Sequence, residues 1–119
     1  MKIKKFATES GGEIWVGMDD ASNDALSLKV ADATDLWFHV AGFPGSHVLL
    51  RGADDRDSIR QAAAAAAWFS KMRKGKNVPV HYCYARQVSK PRKAKAGTVT
   101  IRGEKKIKVT PALPEHPLP

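Results

Sequence analysis

Alternating apolar and polar residues predict two pairs of strands in the first half of the chain. KIKKFAT (2–8) and EIWVGM (13–18) are short alternating runs separated by ESGG, a pattern typical of a β-hairpin. DLWFHV (35–40) and SHVLL (46–50) predict a second pair, joined by AGFPG, whose glycines and proline suit a turn. In the first hairpin, we expect the inward residues to include Ile3, Ile14 and Val16.

The second half of the chain predicts three more strands. NVPVHYCYA (77–85) is rich in valine and tyrosine and is a strong strand candidate. TVTIR and KKIKVTP, within residues 98–111, predict a hairpin around Gly103 and Glu104. The remaining ALPEHPLP (112–119) is a proline-rich tail that we expect to be frayed.

Helical periodicity occurs in two places. Residues 55–73 predict a long helix, with aspartates near its start and Lys71 and Arg73 in its last turn. Its apolar stripe comprises Ile59, Ala62, Ala66, Phe69 and Met72. The six consecutive alanines (62–67) allow a close approach, which we expect the sheet to make. Residues 22–31 predict a short helix that follows an Asp, Ser or Asn cap.

Together these elements predict one α+β domain over residues 1–111, followed by the tail at 112–119. A largely antiparallel sheet packs against one long helix (about 55–73) and a short helix (about 22–31). Strands and helices do not alternate regularly, which argues against a parallel α/β sheet. A chain of 119 residues fits one domain that buries its core without disulfides or metal.

The single cysteine, Cys83, excludes an intramolecular disulfide and fits a reducing compartment. No apolar run follows the opening MKIKKFATES, which argues against a signal peptide. No stretch approaches the roughly 18 apolar residues of a membrane span. We therefore expect a cytoplasmic protein with no membrane partner.

Charge divides the chain into two halves. Residues 1–70 hold seven Lys/Arg and ten Asp/Glu, whereas residues 71–108 hold thirteen Lys/Arg and one acidic residue, Glu104. A field of one sign over one region suggests a polyanionic partner, with nucleic acid first and acidic lipid second. The alternative is a solubilising surface without a partner, but such a surface normally mixes both signs.

Much of this charge lies in residues 86–97 (RQVSKPRKAKAG), between two predicted strands. Most hairpin loops have about 2–5 residues, and longer loops are often functional. The cations of this loop are Arg86, Lys90, Arg92, Lys93 and Lys95. They repel one another until a polyanion neutralises them, so the loop predicts contacts with RNA phosphates. A disordered basic loop without a partner is the alternative.

Residues 35–47 form the other candidate site. The period-two alternation of a strand assigns three apolar residues to the core: Leu36, Phe38 and Val40. The opposite face then collects polar and aromatic residues, joined by two more across the Pro-Gly turn: Asp35, Trp37, His39, Ser46 and His47.

Four interpretations of these residues are open. In the first, Trp37 stacks on RNA or lines a pocket, the histidines donate to phosphate or a 2′-hydroxyl, and Asp35 orients a histidine or accepts from a base. In the second, the same side chains only hold the turn and the fold. In the third, His39 and His47 act as acid and base on a phosphodiester. In the fourth, they bind zinc with a ligand from residues 81–83, which no paired ligand spacing supports.

Three strings carry a family resemblance: NDALSLKVADATDLWFHVAGFPGSHVLL, SKMRKGKNVPVHY after the alanine run, and VSKPRKAKAGTVTI followed by KVTP. Through them the chain resembles the NFACT-R domain, the RNA-binding module of the NEMF/RqcH/Caliban proteins of ribosome quality control. The resemblance covers roughly residues 13–111. Its specific motifs are D-x-W-F-H with P-G-S-H, and V-x-K-P followed by G-x-V.

The resemblance implies an α+β RNA-binding domain, which in the family's large members helps engage tRNA and the large ribosomal subunit. Those members carry further domains that 119 residues cannot hold, so the chain looks like a stand-alone form. The family pattern falls on Asp35, Trp37, Phe38, His39, Pro44, Gly45, Ser46, His47, Lys90, Pro91 and Gly97. The chain departs at Lys93 and Ala96, where the family often has glycine and proline.

We therefore predict a non-enzymatic domain, without cofactor or metal, that recognises tRNA or ribosomal RNA by shape and phosphate contacts and serves translation quality control or RNA modification. One alternative is an adaptor that docks on a protein of an RNA-processing complex through aromatics such as Trp15 or Trp68. Another is a non-catalytic subunit of an RNA-modifying enzyme. The predicted RNA-binding residues are Asp35, Trp37, His39, Ser46, His47, Arg86, Lys90, Arg92, Lys93 and Lys95.

Overall fold

A seven-stranded antiparallel sheet forms the middle layer of the domain in a computed structural model that describes residues 1–119. The strands are β1 (Ile3–Ala7), β2 (Glu13–Gly17), β3 (Leu36–Val40), β4 (Val48–Arg51), β5 (Val78–Tyr84), β6 (Val88–Ser89), β7 (Thr100–Ile101), β8 (Lys105–Val109) and β9 (His116–Pro117). The sheet has the order β8-β5-β3-β4-β2-β1-β9, while β6 and β7 form a separate two-stranded ribbon. The predicted α+β class with an antiparallel sheet is confirmed.

Two short helices accompany the sheet. Helix α1 (Asp20–Ala25) continues as a π-helical turn (Leu26–Val30), and helix α2 spans Arg56–Trp68. The side chain of Asp19 caps α1, and that of Asp55 caps α2 by accepting from the Ser58 amide at 3.1 Å.

The prediction of one long helix ending near residue 73 is wrong, because α2 ends at Trp68. After Trp68 the backbone pairs with the loop between β3 and β4 in place of continuing the helix. The Ser46 amide donates to the Phe69 carbonyl at 2.9 Å, and the Lys71 amide donates to the Pro44 carbonyl at 3.2 Å. These tertiary hydrogen bonds outweigh the helical pattern that continues to Met72.

Helix α2 covers one face of the sheet. Its six alanines, 62–67, are all buried and allow the close approach that the sequence predicted. They pack on apolar side chains from six strands: Phe6, Ile14, Val16, Leu36, Phe38, Val40, Val48, Leu50, Val78, Val80 and Val109. Ile3 does not belong to this face, because β1 pairs Phe6 with Ile14, and Phe6 is the inward residue.

The second face of the sheet is covered by the π-helical turn and the β6–β7 ribbon. Its buried cluster consists of Leu26, Trp37, Leu49 and Cys83. Val88, Val99 and Ile101 of the ribbon and its loop pack against that cluster from outside. The sheet is therefore covered on both sides, which the sequence analysis did not anticipate.

Two predictions about the C-terminal third need correction. The strands β7 and β8 do not form a hairpin, because Ile101 pairs with Val88 while Ile107 pairs with Val80 of β5. The tail is not frayed, since β9 pairs with the edge strand β1 and the Leu118 amide donates to the Lys5 carbonyl at 2.8 Å. Neither helix is long and apolar enough to cross a membrane.

Candidate nucleic-acid interface

The predicted basic loop forms a folded extension, the basic arm, which we define as residues 86–101. Its base is the β6–β7 ribbon, in which the hydroxyls of Ser89 and Thr100 lie 3.0 Å apart. The apolar side chains of Val88, Val99 and Ile101 hold it against the second face of the sheet. The arm therefore has a fixed position, in contrast to the disordered alternative.

Lys90 anchors the arm from inside. Its Nζ lies 3.0 Å from the carboxylate of Asp24 and donates to the carbonyls of Lys95 at 2.7 Å and Thr98 at 3.2 Å. Its side chain is 28% exposed. The loop therefore wraps around the Lys90 side chain, whose ammonium already binds oxygens of the protein.

Gly97 joins the arm to the body of the domain. Its amide donates to Asp24 at 2.9 Å, and its carbonyl oxygen lies 3.1 Å from His47 Nε2. Its φ of +85° lies in the left-handed region, and a Cβ there would come within 3.0 Å of Asp20. Only glycine suits this junction, which explains the glycine of the V-x-K-P…G-x-V motif.

The remaining loop cations point into solvent. Arg92, Lys93 and Lys95 are exposed, and none of them has a carboxylate within 4.0 Å. Lys93 has a φ of +62°, a conformation that glycine adopts without strain. Arg86 differs from these three because its guanidinium lies over the ring of Tyr84, 4.1 Å from the centroid.

The outer strand β8 adds two more cations. Lys106 and Lys108 are exposed and alternate with Ile107 and Val109, which pack toward α2. By the alternation of a strand, the two lysines project to the same side of the sheet as the basic arm. Both lysines belong to the basic half of the sequence but not to the predicted site, although the Lys-Ile-Lys-Val alternation is the signal that could have placed them there.

A cavity of about 140 Å³ lies where the arm meets the sheet. We call it the histidine pocket; it is lined by Trp37, His39, His47, His81, Gly97, Val99 and Ile101. The imidazole of His39 stacks on the indole of Trp37 with centroids 6.0 Å apart, and His47 meets the same indole edge-on at 5.2 Å. The two candidate segments of the sequence therefore meet at one site.

A chain of hydrogen bonds fixes the proton positions in the pocket wall. The Gly97 carbonyl only accepts, so His47 Nε2 carries the proton and Nδ1 is the acceptor. The Ser27 hydroxyl then donates to Nδ1 at 2.7 Å and accepts from Trp37 Nε1 at 2.8 Å. Ser27 was not recognised from the sequence, where it is one of several polar residues in the short helix.

These hydrogen bonds require a neutral His47. Burial lowers the pKa of His47 from 6.5 to about 4, and the neighbouring His39 imidazole contributes in the same direction. Burial also lowers the pKa of His39. At neutral pH both imidazoles are uncharged, so they do not attract phosphate as cations.

Asp35 lies at the far end of β3 from the histidines. It is 3% exposed, and its carboxylate receives the guanidinium of Arg51 at 2.7 Å and the amide of Asp32 at 2.8 Å. Arg51 also donates to the Val30 carbonyl at 3.1 Å. The structure thus places Asp35 in an ion pair with the partly exposed Arg51 that holds the π-helical turn on the sheet, away from the pocket.

The five predicted residues of 35–47 therefore separate into three groups. Trp37, His39 and His47 line the pocket, Asp35 belongs to the ion pair, and half-buried Ser46 binds the turn that follows α2 through its backbone. The face assignment for β3 is correct, but Trp37 is only 2% exposed. Its indole lines the pocket wall and offers no free surface for stacking.

The histidines do not form a metal cluster. Both ring nitrogens of His47 are occupied by hydrogen bonds, and burial raises the pKa of the Cys83 thiol to about 11. The one group of three such side chains with ligand atoms within 4.8 Å of one another is Glu9, Glu115 and His116, all exposed.

Comparison with known proteins places these features in a family context. Residues 2–103 match the family described as NFACT protein RNA binding domain. The Rqc2 homolog RqcH of Bacillus subtilis is 39% identical over 110 residues, which cover 92% of this chain and 19% of that protein. The Rqc2 homolog RqcH of Streptococcus suis is 41% identical over 108 residues, which cover 89% and 20%. The chain spans about a fifth of the length of these relatives.

A solved structure has the same fold. It is the C-terminal part of the fibronectin/fibrinogen-binding protein from Streptococcus suis, which superposes with a TM-score of 0.89 at 38% sequence identity. The match covers 94% of this chain and 46% of that one. The sheet, the two helices and the arm therefore belong to a recurring architecture.

Proposed function

The chain belongs to the NFACT RNA-binding domain family, as its sequence motifs predicted, and from this premise we propose that it binds folded RNA, either tRNA or ribosomal RNA. The observation that carries the proposal is a cluster of cations on one side of the sheet. We call it the basic face; it consists of Arg92, Lys93, Lys95, Lys106 and Lys108. None of these side chains has an acidic partner within 4.0 Å.

Cations that lie on one face without acidic partners favour binding of a polyanion over association with a second copy of the chain. Phosphate contacts by lysine and arginine release counterions and supply affinity that does not depend on base sequence. The anchoring of the arm by Lys90 and Gly97 holds three of these charges at a fixed place relative to β8. A fixed pattern of charges suits recognition of RNA by shape.

We extend the proposal to ribosome-associated quality control in the cytoplasm, because the curated relatives are Rqc2 homologs. We also propose that the domain is not an enzyme. A general base must have a free nitrogen near neutral pH, whereas both nitrogens of His47 are occupied and its pKa is about 4.

A protein-docking adaptor has less support. The aromatics that would anchor a partner are already covered by cations: Lys5 and Arg51 lie 3.9 and 4.4 Å from the ring of Trp15. Arg73 lies 4.8 Å from the ring of Trp68. Hot spots of protein interfaces are normally aromatic side chains that a partner desolvates, and each of these indoles already has at least one cation over its ring.

The salt dependence of RNA binding tests the proposal. If each member of the basic face contacts one phosphate, log K falls with log[salt] at a slope of about −3.5, using the single-strand coefficient. Replacing Arg92, Lys93 and Lys95 with Gln should reduce that slope by about 2. Lys90 stays unchanged because it holds the arm. Titration of a tRNA transcript by fluorescence anisotropy at several salt concentrations gives the slope.

A matched control removes the same charge elsewhere. Lys29, Arg56 and Arg60 are exposed cations in the acidic half of the chain, and their replacement with Gln should leave the slope close to the native value. Equal losses in the two triple variants would show that net charge, and not the basic face, governs binding. Native protein that ignores tRNA and ribosomal RNA at low salt would refute the proposal.

A further inference from the structure

We propose that the histidine pocket receives one unpaired pyrimidine base of the bound RNA. This inference rests on the RNA binding proposed above and names the part of the RNA that the site selects. It assigns a direct role to His39 and His81, and it distinguishes the pocket from the basic face, which contacts phosphates.

The size of the cavity suits a single six-membered ring. Its volume is about 140 Å³. An engineered protein cavity of about 150 Å³ binds benzene, so a ring of this size fits without rearrangement of the walls. The fused rings of a purine are larger than the benzene that occupies such a volume, so we assign the site to the smaller pyrimidine.

The walls combine apolar surface with a few polar groups, as small-molecule sites usually do. Val99 and Ile101 supply aliphatic surface, and the buried Trp37 supports the wall behind the histidines. His39 and His81 lie side by side on β3 and β5, where they form a directly paired position of the sheet. A neutral imidazole offers one donor and one acceptor, which matches the alternating groups on the edge of uracil or cytosine.

The charge of the pocket favours a base over a phosphate. His39 and His47 are neutral at pH 7 because burial lowers the pKa of each. No lysine or arginine lines the cavity itself. An anion placed there would lose its hydration without gaining an ion pair, whereas an uncharged ring loses little.

One cation lies next to the two histidines in the sheet, where the phosphate of the same nucleotide would lie. Lys106 of β8 is directly opposite His81 in the sheet, so His39, His81 and Lys106 form a row across three adjacent strands. Adjacent strands lie about 4.8 Å apart, so the row extends over roughly 10 Å. A nucleotide can therefore place its base at the two imidazoles and its phosphate at the ammonium.

Unpaired nucleotides are the natural occupants of such a site. RNA-binding proteins commonly recognise bases that are splayed out from loops and bulges, and extrusion is least costly where the base is already unpaired. Folded RNAs present such bases next to helices whose phosphates can engage the basic face. The pocket then binds the unpaired base, and the basic face binds the phosphates of the neighbouring helix in the same RNA.

Binding to three matched RNA hairpins tests the inference. They are identical except at one position, which carries a bulged uridine, a bulged adenosine or no bulge. Because a base contact is worth about 1–3 kcal/mol, the uridine bulge should bind roughly 5- to 160-fold more tightly than the paired hairpin. The adenosine bulge should bind like the paired hairpin. Fluorescence anisotropy at constant salt measures all three.

Two variants of one residue locate the effect in the pocket. His81→Ala removes a polar wall, and His81→Trp fills the cavity; both should abolish the preference for the uridine bulge while leaving binding to the paired hairpin unchanged. His116→Ala is the matched control, because His116 lies in β9 at the opposite edge of the sheet. It should retain the full preference.

The possible failures are distinguishable. If native protein binds all three hairpins equally, or if both His81 variants keep the uridine preference, the pocket does not receive a base although RNA binding stands. A preference for the adenosine bulge would overturn the assignment to a pyrimidine. If native protein binds none of the hairpins, the RNA-binding proposal fails, and the inference fails with it.

Discussion

The two faces of the sheet are built from the same strands but differ in kind. The face under α2 is a dry cluster of 17 buried apolar residues. The face under the basic arm has only four buried apolar residues, together with buried polar groups such as Ser27 and His47. Along β3, Phe38 faces the first and Trp37 the second.

This difference separates the residues that stabilise the fold from those that form the proposed RNA-binding site. The helix face consists of closely packed apolar side chains that α2 covers. The arm face keeps a cavity, buried polar groups joined by hydrogen bonds, and exposed cations on its arm, so it is only partly sealed. The polar groups of the arm face reduce the apolar burial on that side, so most of the apolar burial lies under α2.

The largest expected contrast between the faces comes from Phe38→Ala. Phe38 is fully buried and stacks on Tyr82 with centroids 5.4 Å apart. Its truncation should lower the free energy of unfolding by about 3–5 kcal/mol, because it leaves a cavity in a close-packed cluster. Urea denaturation monitored by circular dichroism measures the loss.

His81→Ala is the matched substitution on the arm face, since His81 is only half-buried. It should cost less than about 1 kcal/mol of folding free energy. Comparable losses for the two variants would erase the distinction between the faces.

The next contrast is a pH dependence between pH 6.5 and 4 that arises at His47 on the arm face. The pKa of His47 is about 4 in the folded protein and 6.5 when unfolded, so the unfolded chain binds the proton more readily. Stability is therefore fully present above pH 6.5 and is lost as the pH falls toward 4. The loss amounts to about 3 kcal/mol over that interval.

The variant His47→Gln should remove most of this dependence. Its amide can still donate to the Gly97 carbonyl and accept from Ser27, but it does not titrate. Denaturation of both proteins at pH 7 and pH 4.5 gives the comparison. A native protein with the same pH dependence as the variant would show that His47 is not held neutral by burial.

The helix face could be predicted from the sequence far better than the arm face. Period-two alternation assigned Phe38 and Val40 to the core, and the alanine run predicted close packing, because both signals depend only on local spacing. The partners of β7 and the early end of α2 could not be found that way. They depend on hydrogen bonds between segments distant in the chain, such as those from Ser46 to Phe69.

The candidate site shows the same limit. The basic loop and the two histidine motifs were identified separately by their composition, but nothing local showed that Gly97 meets His47. Nor did charge counting distinguish Lys90, which anchors the arm, from Arg92, which faces solvent. Side chains of the same type acquire different roles only when the arm is folded against the sheet.

The smallest expected effect concerns Lys93, one of the exposed cations of the basic arm. Lys93 has a φ of +62°, in the left-handed region that costs a residue with a Cβ roughly 1 kcal/mol or more. Lys93→Gly relieves that strain but increases the freedom of the unfolded chain, so stability should rise by at most about 1 kcal/mol. RNA affinity should fall at the same time, and the salt slope should weaken by about 0.7, because one phosphate contact is lost. Thermal melts and anisotropy titrations of the same preparation measure the two changes.

Lys95→Gly, at a position without positive φ, is the control that should lose the phosphate contact without gaining stability. If Lys93→Gly instead lowers both stability and affinity, the Lys93 side chain stabilises the folded arm. The positive φ would then not be a strain that is tolerated only because it exposes the charge to RNA.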